Sequence, residues 1–152
     1  MTEKAPCQFG EHEPGVVYRD RHCAFGVAER EGRLALVRVQ RAGEEPYFDL
    51  PGGALDEGED EAAALVREFG EETGLKVSPG PLITRADQFM TKSDGQKLNN
   101  RSGLYRARIV GEDPGLKIEE DHTLVWLPPE EALQRLRHDS HASAVACWLR
   151  RP

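Results

Sequence analysis

The chain has 152 residues, 31% of them charged, with a formal net charge of −7 and a pI near 5.3. That length holds one domain with an ordinary core, and an acidic balance without any run of Lys or Arg argues against a nucleic-acid partner. Nowhere do 18 consecutive apolar residues or an apolar leader region occur, so a soluble, cytoplasmic protein with no membrane partner is expected.

Three widely spaced cysteines, Cys7, Cys23 and Cys147, form no CxxC pair and read as reduced thiols rather than a disulfide framework. Residues 1–14 are polar, with Pro6 and Pro14, and are expected to be a flexible amino-terminal segment ahead of a single domain over 15–152. Short strands are expected at 16–19 and 23–29. A turn at Glu31-Gly32 then leads into a buried strand carrying Leu34, Leu36, Val37 and Val39. After a polar loop, Tyr47 to Leu50 lead into Pro51-Gly52-Gly53, where glycines permit close backbone approaches.

The helix that follows has legible ends. Asp60 suits an N-cap, Glu61 suits the positive end of the dipole, and Gly74 suits a left-handed C-terminal residue. Ala62, Leu65, Val66 and Phe69 recur at the spacing of a buried face, leaving Arg67, Glu68, Glu71 and Glu72 on the charged side. Longer strands are expected at 82–90 and 102–110, separated by a polar loop at 91–101. A strand is expected at 122–127, then helices at 130–137 and 142–149. The order β, β, α, β, β, β, α gives an α+β domain with a mixed sheet.

Residues three and four apart share one side of a helix, so Glu68, Glu71 and Glu72 are expected to gather three carboxylates on one patch. Like charges so close raise one another's pKa unless a cation sits among them. Hard divalent cations take oxygen ligands and bridge carboxylates to substrate phosphates. The ordinary alternative is a solvated acidic helix face.

The full spacing decides between them. Gly53, Glu59, Arg67, Glu68, Phe69, Glu71, Glu72, Gly74 and Leu75 match, in order and spacing, the signature of the Nudix family, and the chain is identified as a member by this resemblance. Seven positions are fixed by identity, and at about a tenth each, chance agreement is ~1 in 10,000. Phe69 is the one departure, standing where the family usually carries an aliphatic residue.

The resemblance implies a Nudix fold, a mixed sheet sandwiched between helices, and hydrolysis of a nucleoside diphosphate linked to another moiety. It implies Mg²⁺ or Mn²⁺ as cofactor and a small-molecule nucleotide derivative as substrate. Carried over, Glu68, Glu71, Glu72 and the Gly52 carbonyl are the implied metal ligands, with Glu59 supporting them. Arg67 orients the glutamates, and Glu68 or another carboxylate is the general base. Relatives often use a further acid late in the chain; Glu120 and Asp121 stand near that place, while Thr123 occupies a position often held by Glu.

Lys92, Asn99, Asn100 and Arg101 are candidates to meet the substrate from the 91–101 loop. His122 is a weaker one. His138 and His141 read as surface or capping residues, and Trp126 as core. A catalytically silent ligand-sensing or protein-interaction module on the same fold is the alternative function. Markers of several substrate sub-families are missing, so the nucleotide is left open, as is oligomeric state, a homodimer included.

Overall fold

A computed structural model describes residues 5–150. The elements are β1 (Cys7–Phe9), β2 (Arg19–Val27), β3 (Glu29–Arg30), β4 (Arg33–Val39), β5 (Tyr47–Asp49), β6 (Gly52–Ala54), α1 (Glu61–Thr73), β7 (Leu75–Thr91), β8 (Lys97–Glu112), a 3₁₀ turn (Pro114–Leu116), β9 (His122–Leu127), α2 (Pro129–Arg135) and α3 (Asp139–Leu149). One sheet runs β1-β7-β8-β2-β6 and is mixed, with β1 parallel to β7 and β2 parallel to β8. In the second, β4 pairs antiparallel with β3, β5 and β9. No helix among the described residues is long and apolar enough to cross a membrane.

Alternation along β2 and β4 separates two cores. Cys23, Phe25, Val27, Leu34 and Leu36 join Ala132, Leu136, Ala144, Val145 and Trp148 beneath α2 and α3. Ala24, Ala28 and Ala35 face the other way, onto Ala64, Leu65 and Phe69 of α1. A Cβ on Gly26 would stand 2.8 Å from the Phe69 ring. The small residues on this face make the room that a phenylalanine needs where an aliphatic side chain is usual, and Phe69 is fully buried.

The caps of α1 fall where the sequence puts them. Asp60 accepts from the Ala63 N–H at 2.8 Å, and Gly74 is left-handed at φ 76°. The buried face is rotated from the expected one. Ala62 and Val66 are exposed, while Leu65, Phe69, Gly70 and Glu72 are buried. The helix has two buried contacts, a core and a cleft, and an apolar stripe reports only the first.

Other boundaries shift as well. Residues 16–18 are not a strand, and Val17 is 88% exposed. Cys7–Phe9, within the segment expected to be flexible, pairs with β7; residues 1–4 of that segment lie outside the described residues. β7 and β8 are longer than expected because Pro79-Gly80-Pro81 sits at a register irregularity rather than a break. The connection between them is only residues 92–96, so Asn99, Asn100 and Arg101 lie in β8, not in a loop.

Candidate active site

A cleft of about 680 Å³ opens where β2, β6, α1 and the start of β9 meet. Gly52, at φ 146° and with no space for a Cβ beside the Ala24 carbonyl, brings its backbone against α1. Its N–H donates to Glu72 Oε1 at 3.0 Å. A Cβ on Gly53 would lie 2.9 Å from the Glu68 carboxyl carbon. The two glycines therefore allow the glutamates to close on the loop, and Gly52, Gly53, Glu68 and Glu72 all line the cleft.

Arg67 organises the acids from beneath. Its guanidinium donates to Glu59 at 2.8 and 2.9 Å, to Glu68 Oε1 at 2.9 Å, to Glu71 Oε2 at 3.1 Å and to the Ala54 carbonyl at 3.1 Å. Hydrogen bonding from Arg67 pulls Glu59 down to about 2. Glu59 and Glu71 are thus held by Arg67 and do not line the cleft.

Glu72 is only 9% exposed at its side chain, and burial pushes its pKa up to about 7. Burial also raises Glu68, against the pull of Arg67. Glu72 Oε2 lies 3.2 Å from His122 Nε2, His122 Nδ1 lies 2.7 Å from Asp121 Oδ1, and Arg41 Nε donates to Asp121 Oδ2 at 3.0 Å. Burial alone would lower His122; Glu72 and Asp121 overcome it and push the imidazole up to about 9.

Of the two late acids singled out from sequence, neither lines the cleft. Asp121 is one bond removed, holding His122, and Glu120 is exposed. Glu119 lines the cleft instead, because the Ile118 and Glu119 amides donate to the Glu71 carbonyl at 2.9 and 3.1 Å and dock this loop on α1. Thr123 is exposed, as alternation in β9 requires once His122 faces inward.

Elsewhere in the cleft, Arg21 Nε donates to Asn100 Oδ1 at 2.9 Å beside Phe25 and Met90. Asn100 and Lys92 line this region. Asn99 meets Gln8, and Arg101 meets Asp20 and Asp87, both outside the cleft. Strand alternation sends Asn100 one way and its two neighbours the other.

The two histidines expected on the surface are buried. His141 is 2% exposed and its Nδ1 accepts from the Leu50 N–H at 3.1 Å; His138 lines the cleft, and its Nε2 is buried without a partner among the described residues. Burial lowers both to about 3, so they are neutral. His138 caps α3, and His141 lies on its inner face with Ala144, Val145 and Trp148 at helical spacing, the periodicity that marks it as buried. Trp126 is half-buried, with the Arg30 guanidinium 5.0 Å over its ring.

A mixed sheet between helices, with carboxylates facing a glycine-rich turn across a polar cleft, is the arrangement that the motif's resemblance implies. The chain belongs to the Nudix family, whose NUDIX domain model matches residues 17–149. It is 31% identical over 140 residues to an 8-oxo-(d)GTP phosphatase of Mycolicibacterium smegmatis, covering 90% of this chain and 40% of that protein. It is 33% identical over 113 residues to an RNA pyrophosphohydrolase of Sphingopyxis alaskensis, covering 67% of this chain and 71% of that one. Its fold is similar to that of a NUDIX hydrolase from Nitrosomonas europaea, with a TM-score of 0.73 at 21% identity, over 86% of this chain and 89% of the other.

Proposed function

We propose that this chain uses Mg²⁺ or Mn²⁺ to hydrolyse the phosphoanhydride of a nucleoside diphosphate linked to another moiety. The observation that carries the reading is the pair Glu68, half-buried, and Glu72, buried, both with raised pKa values beside Gly52 in the polar cleft. Oxygen donors held where burial resists their charge fit a hard cation. Glu68, Glu72 and the Gly52 carbonyl are the ligands we assign; of the late acids, Asp121 stays a candidate beside Glu119, since their ligand atoms and that of His122 lie within 4.8 Å of one another. Glu71 and Glu59 act at one remove, through Arg67. When bound, the cation neutralises phosphate charge and lowers the pKa of a coordinated water.

We assign Glu68 Oε2, the oxygen not engaged by Arg67, to take the proton of the attacking water. Arg67 keeps Glu68 and Glu71 from swinging apart, and His122 holds Glu72. Asn100 and Lys92 remain the substrate contacts we propose from the original four, joined by Arg21, Phe25 and Met90. Residues 15–152 are proposed to act as one domain, and the three free thiols support a cytoplasmic setting. The silent alternative has no observation in its favour, since each charged position of the motif is kept.

The test is a panel of nucleoside triphosphates, dinucleotides and nucleotide sugars assayed with Mg²⁺ or Mn²⁺ and with chelator. Turnover of at least one member, abolished by chelator, is the expected outcome. Turnover that survives chelation, or none at all, contradicts the reading.

A further inference from the structure

The backbone entering the active-site turn is fixed at three consecutive residues by three different elements. The Leu50 N–H donates to His141 Nδ1 of α3 at 3.1 Å. The Gly26 N–H of β2 donates to the Pro51 carbonyl at 3.0 Å, and the Gly52 N–H donates to Glu72 of α1 at 3.0 Å. Pro51 has no N–H, so Leu50 and Gly52 carry the only two backbone donors of this stretch. One is held by the active-site glutamate and the other by a histidine far from it in sequence.

The chain leading up to His141 grips the residues just before Leu50 as well. The Arg137 N–H donates to the Phe48 carbonyl at 2.9 Å, and its guanidinium meets Asp49 at 2.7 and 3.2 Å. His141 itself packs at 4.3 Å from the Phe25 ring, and Phe25 pairs with Gly52 across the sheet. The charged and titratable groups nearest it are His138, with ring centroids 5.4 Å apart, and Arg137. Neutral and accepting at Nδ1, the ring carries its proton on Nε2. An apolar side chain would fill this buried position as well as an imidazole does. What only the imidazole supplies is an acceptor for a buried amide.

We propose that His141 is a positioning residue for the active site: by holding the Leu50 amide it sets the Gly52 backbone, and through it Glu72. The consequence for cation binding rests on the ligand assignment made under the proposed function; the consequence for the Gly52 backbone does not. A displacement of about 1 Å at a reacting group, passed on from a distant residue, is enough to depress a rate about 100-fold.

The experiment compares wild type with His141→Leu, which fills the space without an acceptor, and His141→Asn, whose Oδ1 can stand near the place of Nδ1. Amide hydrogen exchange at Leu50 and Gly52 is measured without metal, and Mn²⁺ affinity and turnover are measured alongside. In H141L both amides are expected to exchange at least about tenfold faster, and Mn²⁺ to bind about 10–100-fold more weakly. H141N is expected to return both quantities to within about threefold of wild type. If only Leu50 loses protection in H141L, while Gly52 and Mn²⁺ affinity are unchanged, His141 serves the fold alone and the proposal is overturned. Should H141L not fold, His141→Ala takes its place as the variant without an acceptor: faster exchange at Gly52 upholds the proposal, and unchanged exchange there overturns it. A wild type that turns over no substrate sinks the hydrolase reading, while exchange at Gly52 still judges His141.

Discussion

Helix α1 carries a glutamate with a largely covered side chain near each end, and their surroundings are opposite. Glu61 in its first turn is 11% exposed at the side chain, Glu72 in its last turn 9%. Burial alone would raise both. At Glu61, two Arg85 hydrogen bonds at 2.9 and 3.1 Å, with Tyr105 and His22, more than offset burial, and the carboxyl falls to about 2. Glu72 receives one amide and one imidazole, and burial leaves it at about 7. Similar side-chain cover with unequal neutralisation separates a fully paired acid from the one to which the proposed function gives a cation.

The sharpest way to break this contrast is to remove each charge in turn. Glu72→Gln is expected to lose turnover ~100-fold or more, as when one electrostatic stabiliser is removed, with an unchanged or higher melting temperature in metal-free protein. Steady-state kinetics beside thermal unfolding read both. Near-wild-type turnover in a folded Glu72→Gln protein would make the two ends of the helix equivalent.

Proton competition gives the next effect. Because Glu72 must ionise to meet a cation, and its carboxyl sits at about 7, Mn²⁺ is expected to bind about tenfold more weakly at pH 6 than at pH 8. Calorimetry in buffers of different ionisation enthalpy also reads the released proton. A pH-independent affinity would place the cation away from Glu72.

Glu61→Gln reverses the pattern of Glu72→Gln. Loss of a charge-assisted network is expected to cost about 1–3 kcal/mol of stability, read by urea unfolding, while turnover stays within about threefold of wild type. The pH dependence has a definite sign. Glu61 is lowered from 4.5 to about 2 on folding, so its stabilisation is complete above about pH 4.5 and is lost as pH falls toward 2. The gap between wild type and Glu61→Gln should therefore narrow below pH 4.

How much of this was legible in the sequence follows the range of each interaction. The ends of α1 could be read because Asp60 and Gly74 act on backbone groups within a few residues, and β9 falls on the expected residues, His122–Leu127, around the apolar run Leu124 to Leu127. The Glu59–Arg67–Glu68–Glu71 network could be read because one helix and its entry loop hold all of it. Contacts made across the fold could not. Glu72 looks solvated by helical spacing but is buried by Gly52 and His122. Glu119 enters the cleft because its amide finds the Glu71 carbonyl, a backbone contact that side-chain types do not encode. Asn100 is separated from Asn99 and Arg101 only by strand alternation, in a stretch polar enough to read as a loop. His141 is hidden for the same reason, since its partner is the amide of Leu50.

The most direct test of the contrast between the two ends of α1 is anomalous scattering from Mn²⁺ in crystals grown with a non-hydrolysable nucleotide. A peak about 2 Å from carboxylate oxygens of Glu68 and Glu72, with none at Glu61, is the result expected. No peak at Glu68 and Glu72, or an equal one at Glu61, would contradict the account.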